Sequence, residues 1–211
     1  MTPTLIETVR LRSGTAPLWY LHLRRLAMSC KALGVPLPGE LTTPEGGADR
    51  VHRLEVSRRG LAVTERPVPE QSAVRLIVSG VRHDGYPHKT TDRRPFDRAL
   101  AEAREVGADD GLMLTAGGYV AEAAVWTLLW WEDDRVCGPP MSLRILPSVA
   151  RARMAELAGE IVERRVRPEE LRGLPLLVGN AVRGLVQVDT LEGENVPRWP
   201  GLAGLSARFW A

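Results

Sequence analysis

The chain has 211 residues, enough to bury a sizeable core as one large or two small domains. With 44% hydrophobic and 26% charged residues its composition is that of a globular protein, and its 28 basic and 26 acidic residues are interspersed and nearly cancel to a net +2, which excludes a nucleic-acid footprint of clustered cations. Two distant cysteines, Cys30 and Cys137, exclude a disulfide framework or a cysteine-based metal site, and no stretch nears the roughly 20 apolar residues of a membrane span.

In chain order, residues 5–11 carry the period of a strand, with Leu5, Glu7, Val9 and Leu11 on one face and Ile6, Thr8 and Arg10 on the other. A helix is predicted over residues 20–33, closed by Gly34 and Pro36, with a polar stripe of His22, Arg25 and Ser29 turned toward a ligand. Residues 36–49 read as a loop with room for one short capped helix, and residues 53–57 and 61–65 as a hairpin. The two prolines in residues 67–72 mark a linker, which divides the chain into domains of residues 1–70 and 71–211.

Beyond the linker, residues 74–78 form an apolar strand, and Gly85-Tyr86-Pro87 turns the chain ahead of Lys89. Pro95 opens a helix whose apolar face is Phe96, Leu100, Ala103 and Val106. Two hairpins follow, turning at Ala116-Gly117-Gly118 and at Glu132-Asp133-Asp134, so that Glu122 ends a strand. Ser148 has the chemistry of an N-cap for a helix running to about Ala158, whose first N–H groups lack intrahelical partners and suit an anion. Residues 160–166 read as a strand and residues 168–171 as a short helix. Residues 176–179 and 185–188 are buried strands around a polar turn, and the aromatic tail of Trp199, Phe209 and Trp210 packs on the body or on a second subunit. Trp126, Trp130 and Trp131, at strand spacing, belong to the core or to an interface, with the core favoured.

Only Lys31 and Lys89 among the 28 basic residues are lysines. An amine can condense with a carbonyl, whereas a guanidinium, always protonated, cannot. The rare lysine in His88-Lys89-Thr90-Thr91-Asp92-Arg93 is therefore a candidate for covalent chemistry.

Seven segments in order carry a family resemblance: Glu7-Thr8-Val9-Arg10; His22-Leu23-Arg24-Arg25-Leu26 with Ser29; the Lys89 segment; Gly118-Tyr119-Val120-Ala121-Glu122; Pro139-Pro140; residues 145–151; and Asn180-Ala181-Val182-Arg183-Gly184. The chain resembles the class IV, fold-type IV pyridoxal phosphate enzymes, which include branched-chain and D-amino acid aminotransferases and aminodeoxychorismate lyase. That resemblance implies an α/β fold with a small N-terminal domain, a larger C-terminal domain built on a barrel-like sheet, pyridoxal 5'-phosphate between them, and a homodimer. It implies that Lys89 carries the cofactor and moves the substrate proton, that Arg25 binds the cofactor phosphate, and that Glu122 faces the pyridine nitrogen. It implies further that Ser148 and the N–H groups of Val149 and Ala150 complete the phosphate cradle, and that Asn180 stands where relatives place a Ser or Thr near the phosphate.

Several positions depart from the family pattern. Ala123 replaces a Gly, Thr127 an Asn and Gly138 a Thr, while Ser148 and Ala150 stand for Gly and Thr at the helix start. Thr8 matches a threonine that aminodeoxychorismate lyases place at the active site for proton transfer, and Arg10 and Arg93 are candidate carboxylate clamps. The expected activity is a lyase converting 4-amino-4-deoxychorismate to 4-aminobenzoate and pyruvate. An amino-acid aminotransferase is the alternative, and a degenerate non-catalytic member a third reading. A small-molecule amine substrate, no metal and no membrane partner are expected, and the absence of a signal pattern at the N-terminus points to the cytoplasm.

Overall fold

The computed structural model describes residues 3–70 and 73–211. The first unit is a three-stranded antiparallel sheet of β1 (Leu5–Leu11), β2 (Arg50–Ser57) and β3 (Gly60–Arg66), with β2 in the centre. Helix α1 (Trp19–Leu33) covers it, burying Leu26 and Cys30 against Leu5, Val35 and Val56. Gly34 ends the helix in the left-handed conformation, at φ 61°, where a side chain would be strained. β3 is exposed along its whole length, so it is the solvent edge of this unit. Residues 36–49 contain no helix. Residues 67–70 are irregular, and Gln71 and Ser72 of the expected linker lie outside the described residues.

The second unit is a nine-stranded mixed sheet formed by β4 (Val74–Arg82), β5 (Asp110–Leu114), β6 (Val120–Ala123), β7 (Thr127–Glu132), β8 (Arg135–Gly138), β9 (Val162–Glu163), β10 (Leu176–Asn180), β11 (Gly184–Leu191) and β12 (Glu194–Asn195). Its order is β6-β5-β4-β11-β10-β7-β8-β9, with β12 paired to β11. β4 runs parallel to both β5 and β11, and helix α2 (Arg94–Glu105) makes the crossover from β4 to β5. The helix comes so close to β5 that a Cβ on Gly111 would sit 2.5 Å from the Ala99 carbonyl oxygen. That close approach selects small residues. The buried face of α2 holds Phe96 and Ala103 as expected, with Ala99 beside them and Leu100 partly buried, while Val106 lies past the last turn, 68% exposed.

The sheet curls into a half-barrel, as the resemblance implied. Where a strand was expected over residues 160–166, only Val162–Glu163 pairs regularly, in parallel with β8. The rest of that stretch crosses the open side of the curl. Arg164 N–H donates to the Gly138 carbonyl at one edge, and the Val166 carbonyl accepts from Val120 N–H at the other. One extended segment thus ties both edges of the sheet, pairing with β8 for only two residues before it leaves for the other edge.

β7 is buried on both faces. Leu128 and Trp130 join Val178, Val186 and Leu76 in one core, while Leu129 joins Leu177 and Phe209 in another. Helices α3 (Val149–Ala158) and α4 (Leu202–Phe209) close the second core, with Phe209 fully buried, so the aromatic tail packs on the body of its own chain. Trp126 and Trp130 are core residues as expected, and both cysteines are free and buried.

Candidate active site

Lys89 lies in an irregular segment that the two units fix from both sides. Its carbonyl accepts from Ile6 N–H at 2.8 Å, and Thr91 N–H donates to the Thr4 carbonyl at 2.9 Å, so the segment adds a short antiparallel bridge to the start of β1. The Tyr86 hydroxyl accepts from Thr90 N–H and donates to the Thr90 carbonyl, both at 2.7 Å, which clamps the backbone one residue beyond the lysine. His88 meets Ser29 of α1 at 3.1 Å, giving one member of the polar stripe a partner in this segment.

Lys89 lines a cleft of about 230 Å³ between the small sheet and the concave sheet. Ile6 and Thr8 reach it from β1, Arg53 from β2, Arg25 from α1, Glu122 from β6, and Ser148 and Val149 from the start of α3. The alternation along β1 separates two tasks. Ile6 and Thr8 face the cleft, whereas Glu7, only 2% exposed, turns to α1 and receives Arg25 in a two-pronged ion pair, Nε to Oε1 at 2.9 Å and Nη2 to Oε2 at 2.5 Å. His22 Nδ1 contacts the same carboxylate at 2.6 Å. Burial alone would raise the Glu7 pKa, but the Arg25 charge and the hydrogen bonds from His22 and Arg25 outweigh it and hold the group at about 2. Burial pushes His22 the other way, below its usual range.

Arg25 also donates to the Pro147 carbonyl at 3.3 Å. Three of its five N–H groups are therefore spent on positioning, and two remain for the cleft. At α3, Ser148 Oγ accepts from Arg151 N–H at 3.4 Å, so the residue caps the helix as its type requires. Gly179 allows this helix start to dock on β10, since a Cβ there would lie 3.1 Å from the Ala150 methyl. Gly138, one of the departures from the family pattern, leaves space for Arg151, whose guanidinium would lie 2.5 Å from a Cβ at that position.

Glu122 accepts twice through Oε1, from His83 Nε2 at 2.8 Å and from Leu146 N–H at 3.0 Å, leaving Oε2 for the cleft. The loop after it hangs on Asp110. That buried carboxylate accepts from Gly111 N–H at 2.7 Å, Ala124 N–H at 3.1 Å and Val125 N–H at 2.9 Å. Burial raises the Asp110 pKa to about 6 in spite of these bonds.

Of the residues singled out in the sequence, Thr8, Arg25, Lys89, Arg93, Glu122, Ser148, Val149 and Asn180 line one cleft. Arg10 does not. Its guanidinium is taken by Asp49 at 2.6 Å and by the Leu11 and Val182 carbonyls at 3.2 Å, which makes it a tie between the small sheet and the turn after β10. The Ala150 side chain is fully buried against β10, away from the cleft. Asn180 lines the cleft, yet its Oδ1 accepts from Val182 and Arg183 N–H and its Nδ2 donates to the Val125 carbonyl, so most of its capacity goes into shaping the turn. The sequence reading missed Glu7, His83 and Asp110 as supports, and Arg53, Arg66 and Arg183 as lining. His83 and Asp110 lie outside every segment quoted above. Glu7 and Arg183 stand inside quoted segments, where that signal was available, and went unassigned.

The chemistry centres on the amine. Burial, then the nearby charges of Arg25 and Arg93, lower the Lys89 pKa to about 7, against the opposing pull of Glu7 and Glu122. An amine poised there exists substantially as the neutral nucleophile or base at neutral pH.

Comparison with known proteins bears on the fold and the family. A solved structure of a candidate 4-amino-4-deoxychorismate lyase superposes with a TM-score of 0.81 at 27% identity, covering 100% of this chain and 91% of that one. The branched-chain aminotransferase of Thermoproteus uzoniensis, solved with norvaline, gives 0.86 at 19% identity, covering 99% and 84%. A hypothetical aminotransferase from Mycobacterium tuberculosis in its PLP-bound form gives 0.83 at 20% identity, covering 100% and 89%. No curated protein matches the sequence. The family model for amino-transferase class IV matches residues 47–191, and the chain belongs to that family of pyridoxal phosphate enzymes.

Proposed function

We propose that the protein is a pyridoxal 5'-phosphate enzyme that converts 4-amino-4-deoxychorismate to 4-aminobenzoate and pyruvate. The observation that carries this reading is Thr8, whose side chain lines the same cleft as Lys89 and Glu122. The residues present fit the cofactor. A nucleophilic amine at Lys89, two free N–H groups on Arg25 and the first N–H groups of α3 suit an aldehyde bearing a phosphate, and the free oxygen of Glu122 suits a protonated ring nitrogen. When bound, the cofactor supplies the electron sink for charge left on the substrate carbon.

The chain's own groups do the rest. Lys89, neutral in a large fraction near pH 7, takes the proton from the carbon bearing the amino group. Thr8 donates through its hydroxyl to the ether oxygen of the enolpyruvyl group as the carbon–oxygen bond breaks, and the departing group becomes pyruvate on protonation. Arg93, held by the Ala124 carbonyl at 2.5 Å with its Cζ 4.9 Å from the Phe96 ring centre, orients a carboxylate near the leaving group.

The test is pyruvate release from purified, cofactor-loaded protein supplied with 4-amino-4-deoxychorismate. Lys89→Ala should abolish release, and Thr8→Val should slow it by about 100-fold or more, the usual contribution of a positioned proton donor. Robust amino transfer to a keto acid with no pyruvate formed would replace the lyase reading with that of an aminotransferase.

A further inference from the structure

Among the described residues, six cationic side chains line the cleft, Arg25, Arg53, Arg66, Lys89, Arg93 and Arg183, against a single carboxylate, Glu122. Four of them have a partner or a task. Arg25 is held by Glu7, Arg53 donates to Glu55 at 2.9 Å, Arg93 to the Ala124 carbonyl, and Lys89 is the reacting amine. Arg66 and Arg183 are different. Among the described residues neither guanidinium has a hydrogen-bond acceptor, and Arg183 Nε is buried without one.

The two arrive from opposite walls. Arg66 is the last residue of β3 in the small sheet, and Arg183 sits in the turn between β10 and β11 of the large one. The backbone of Arg183 is fixed by its N–H bond to Asn180 Oδ1 at 2.8 Å, and its Cζ lies 5.2 Å from the Trp126 ring centre. A guanidinium stacked in this way keeps its N–H edge free for a planar, two-oxygen acceptor. Burial first, and then the charge of Arg66, lower the Arg183 pKa, so the two cations feel one another across the cleft. The Asp110 carboxylate pulls the other way, yet its oxygens are taken by the Gly111, Ala124 and Val125 N–H groups, so the repulsion between the two cations is relieved further when an anion enters.

We propose that Arg66 and Arg183 clamp a substrate carboxylate remote from the carbon that reacts at Lys89, which makes the substrate class an amine carrying a carboxylate at its far end. The inference rests on the reaction being centred on Lys89 and deepens the lyase reading. In 4-amino-4-deoxychorismate, and in 4-aminobenzoate, the ring carboxylate lies directly across the ring from the amino group.

The experiment is calorimetric titration of the cofactor-loaded protein with two matched pairs of probes, 4-aminobenzoate against 4-aminobenzamide and L-glutamate against L-glutamine. Wild-type protein should bind 4-aminobenzoate about 10- to 100-fold more tightly than its amide, the range for a charge-assisted hydrogen bond. Arg183→Gln and Arg66→Gln should each bring that ratio close to one, Arg183→Lys should restore part of it, and the borohydride-trapped adduct on Lys89 should persist in all three. Arg66 is exposed at a strand end, so its variant reports on the clamp even where Arg183→Gln disturbs the turn. A preference confined to glutamate and lost in both Gln variants keeps the clamp and rejects the lyase reading. Absence of carboxylate preference in both pairs, or a preference that survives both Gln variants, overturns the clamp whatever the pyruvate assay gives.

Discussion

The inner end of the cleft and its mouth treat charge in opposite ways. Inside, Glu7 is matched by Arg25 and His22, and Glu122 by His83 and the Leu146 N–H. At the mouth, Arg66 and Arg183 approach from two sheets with no acceptor among the described residues. A buried charge that loses its partner is costly, so the inner end holds its shape with nothing bound. The mouth is incomplete by construction and depends on what enters. Positioning is thus built into the protein at one end and left to the ligand at the other.

The largest expected effect breaks the inner end. Glu7→Gln removes the anion between Arg25 and His22 and leaves a buried guanidinium unpaired, which should cost about 3–5 kcal/mol of stability in a urea titration at neutral pH. The pH dependence sharpens the same point. Because the folded-state pKa of Glu7 is depressed to about 2, its stabilisation is complete above the unfolded value near 4.5 and disappears as pH falls through about 2. The gap between wild type and variant should therefore close over that acid window. A gap that stays constant from pH 7 to pH 2 would mean that the ion pair does not set the stability of this end.

The next effect concerns reactivity. With a pKa near 7, Lys89 should offer on the order of a thousandfold more neutral amine at pH 7 than an ordinary lysine. Trapping with pyridoxal phosphate and borohydride should place the adduct on Lys89, with a yield at limiting reagent that rises with pH and has its midpoint near 7. Replacing Arg93 by Gln removes one of the two cations that depress this pKa and should move the midpoint upward. An adduct on the exposed Lys31 would overturn the assignment.

What the sequence disclosed follows the same division between local and non-local causes. Gly34, Pro95, the Gly117-Gly118 turn and Ser148 act on the backbone within a few residues, and the elements they bound lie where they were expected. Lys89 was legible because an amine is rare in a chain that writes its cations as arginine. Arg66 and Arg183 were hidden for that very reason, being two guanidiniums among many. Glu7, His83 and Asp110 act through burial and through partners 14 to 39 residues away, which no spacing announces. Residues 162–166 show the limit most clearly. Their extended character was visible, but bridging both edges of a curled sheet is a property of the closed fold.

The smallest expected effect separates the helix cap from the anion site. Ser148 Oγ accepts from Arg151 N–H at 3.4 Å, a long contact for a cap, so Ser148→Ala should cost only about 0.5 kcal/mol, the low end for an N-cap. The N–H groups of Val149 and Ala150 are untouched by that change and remain directed out of the first turn of α3. Inorganic phosphate should therefore raise the melting temperature of Ser148→Ala nearly as much as that of wild type. An Arg25→Gln variant, which keeps the cap and loses the cation, should lose most of the response. If the serine change abolished the phosphate response and the arginine change spared it, anion binding at the inner end would rest on the hydroxyl instead of the guanidinium, and the contrast between a self-sufficient interior and a ligand-dependent mouth would have to be redrawn.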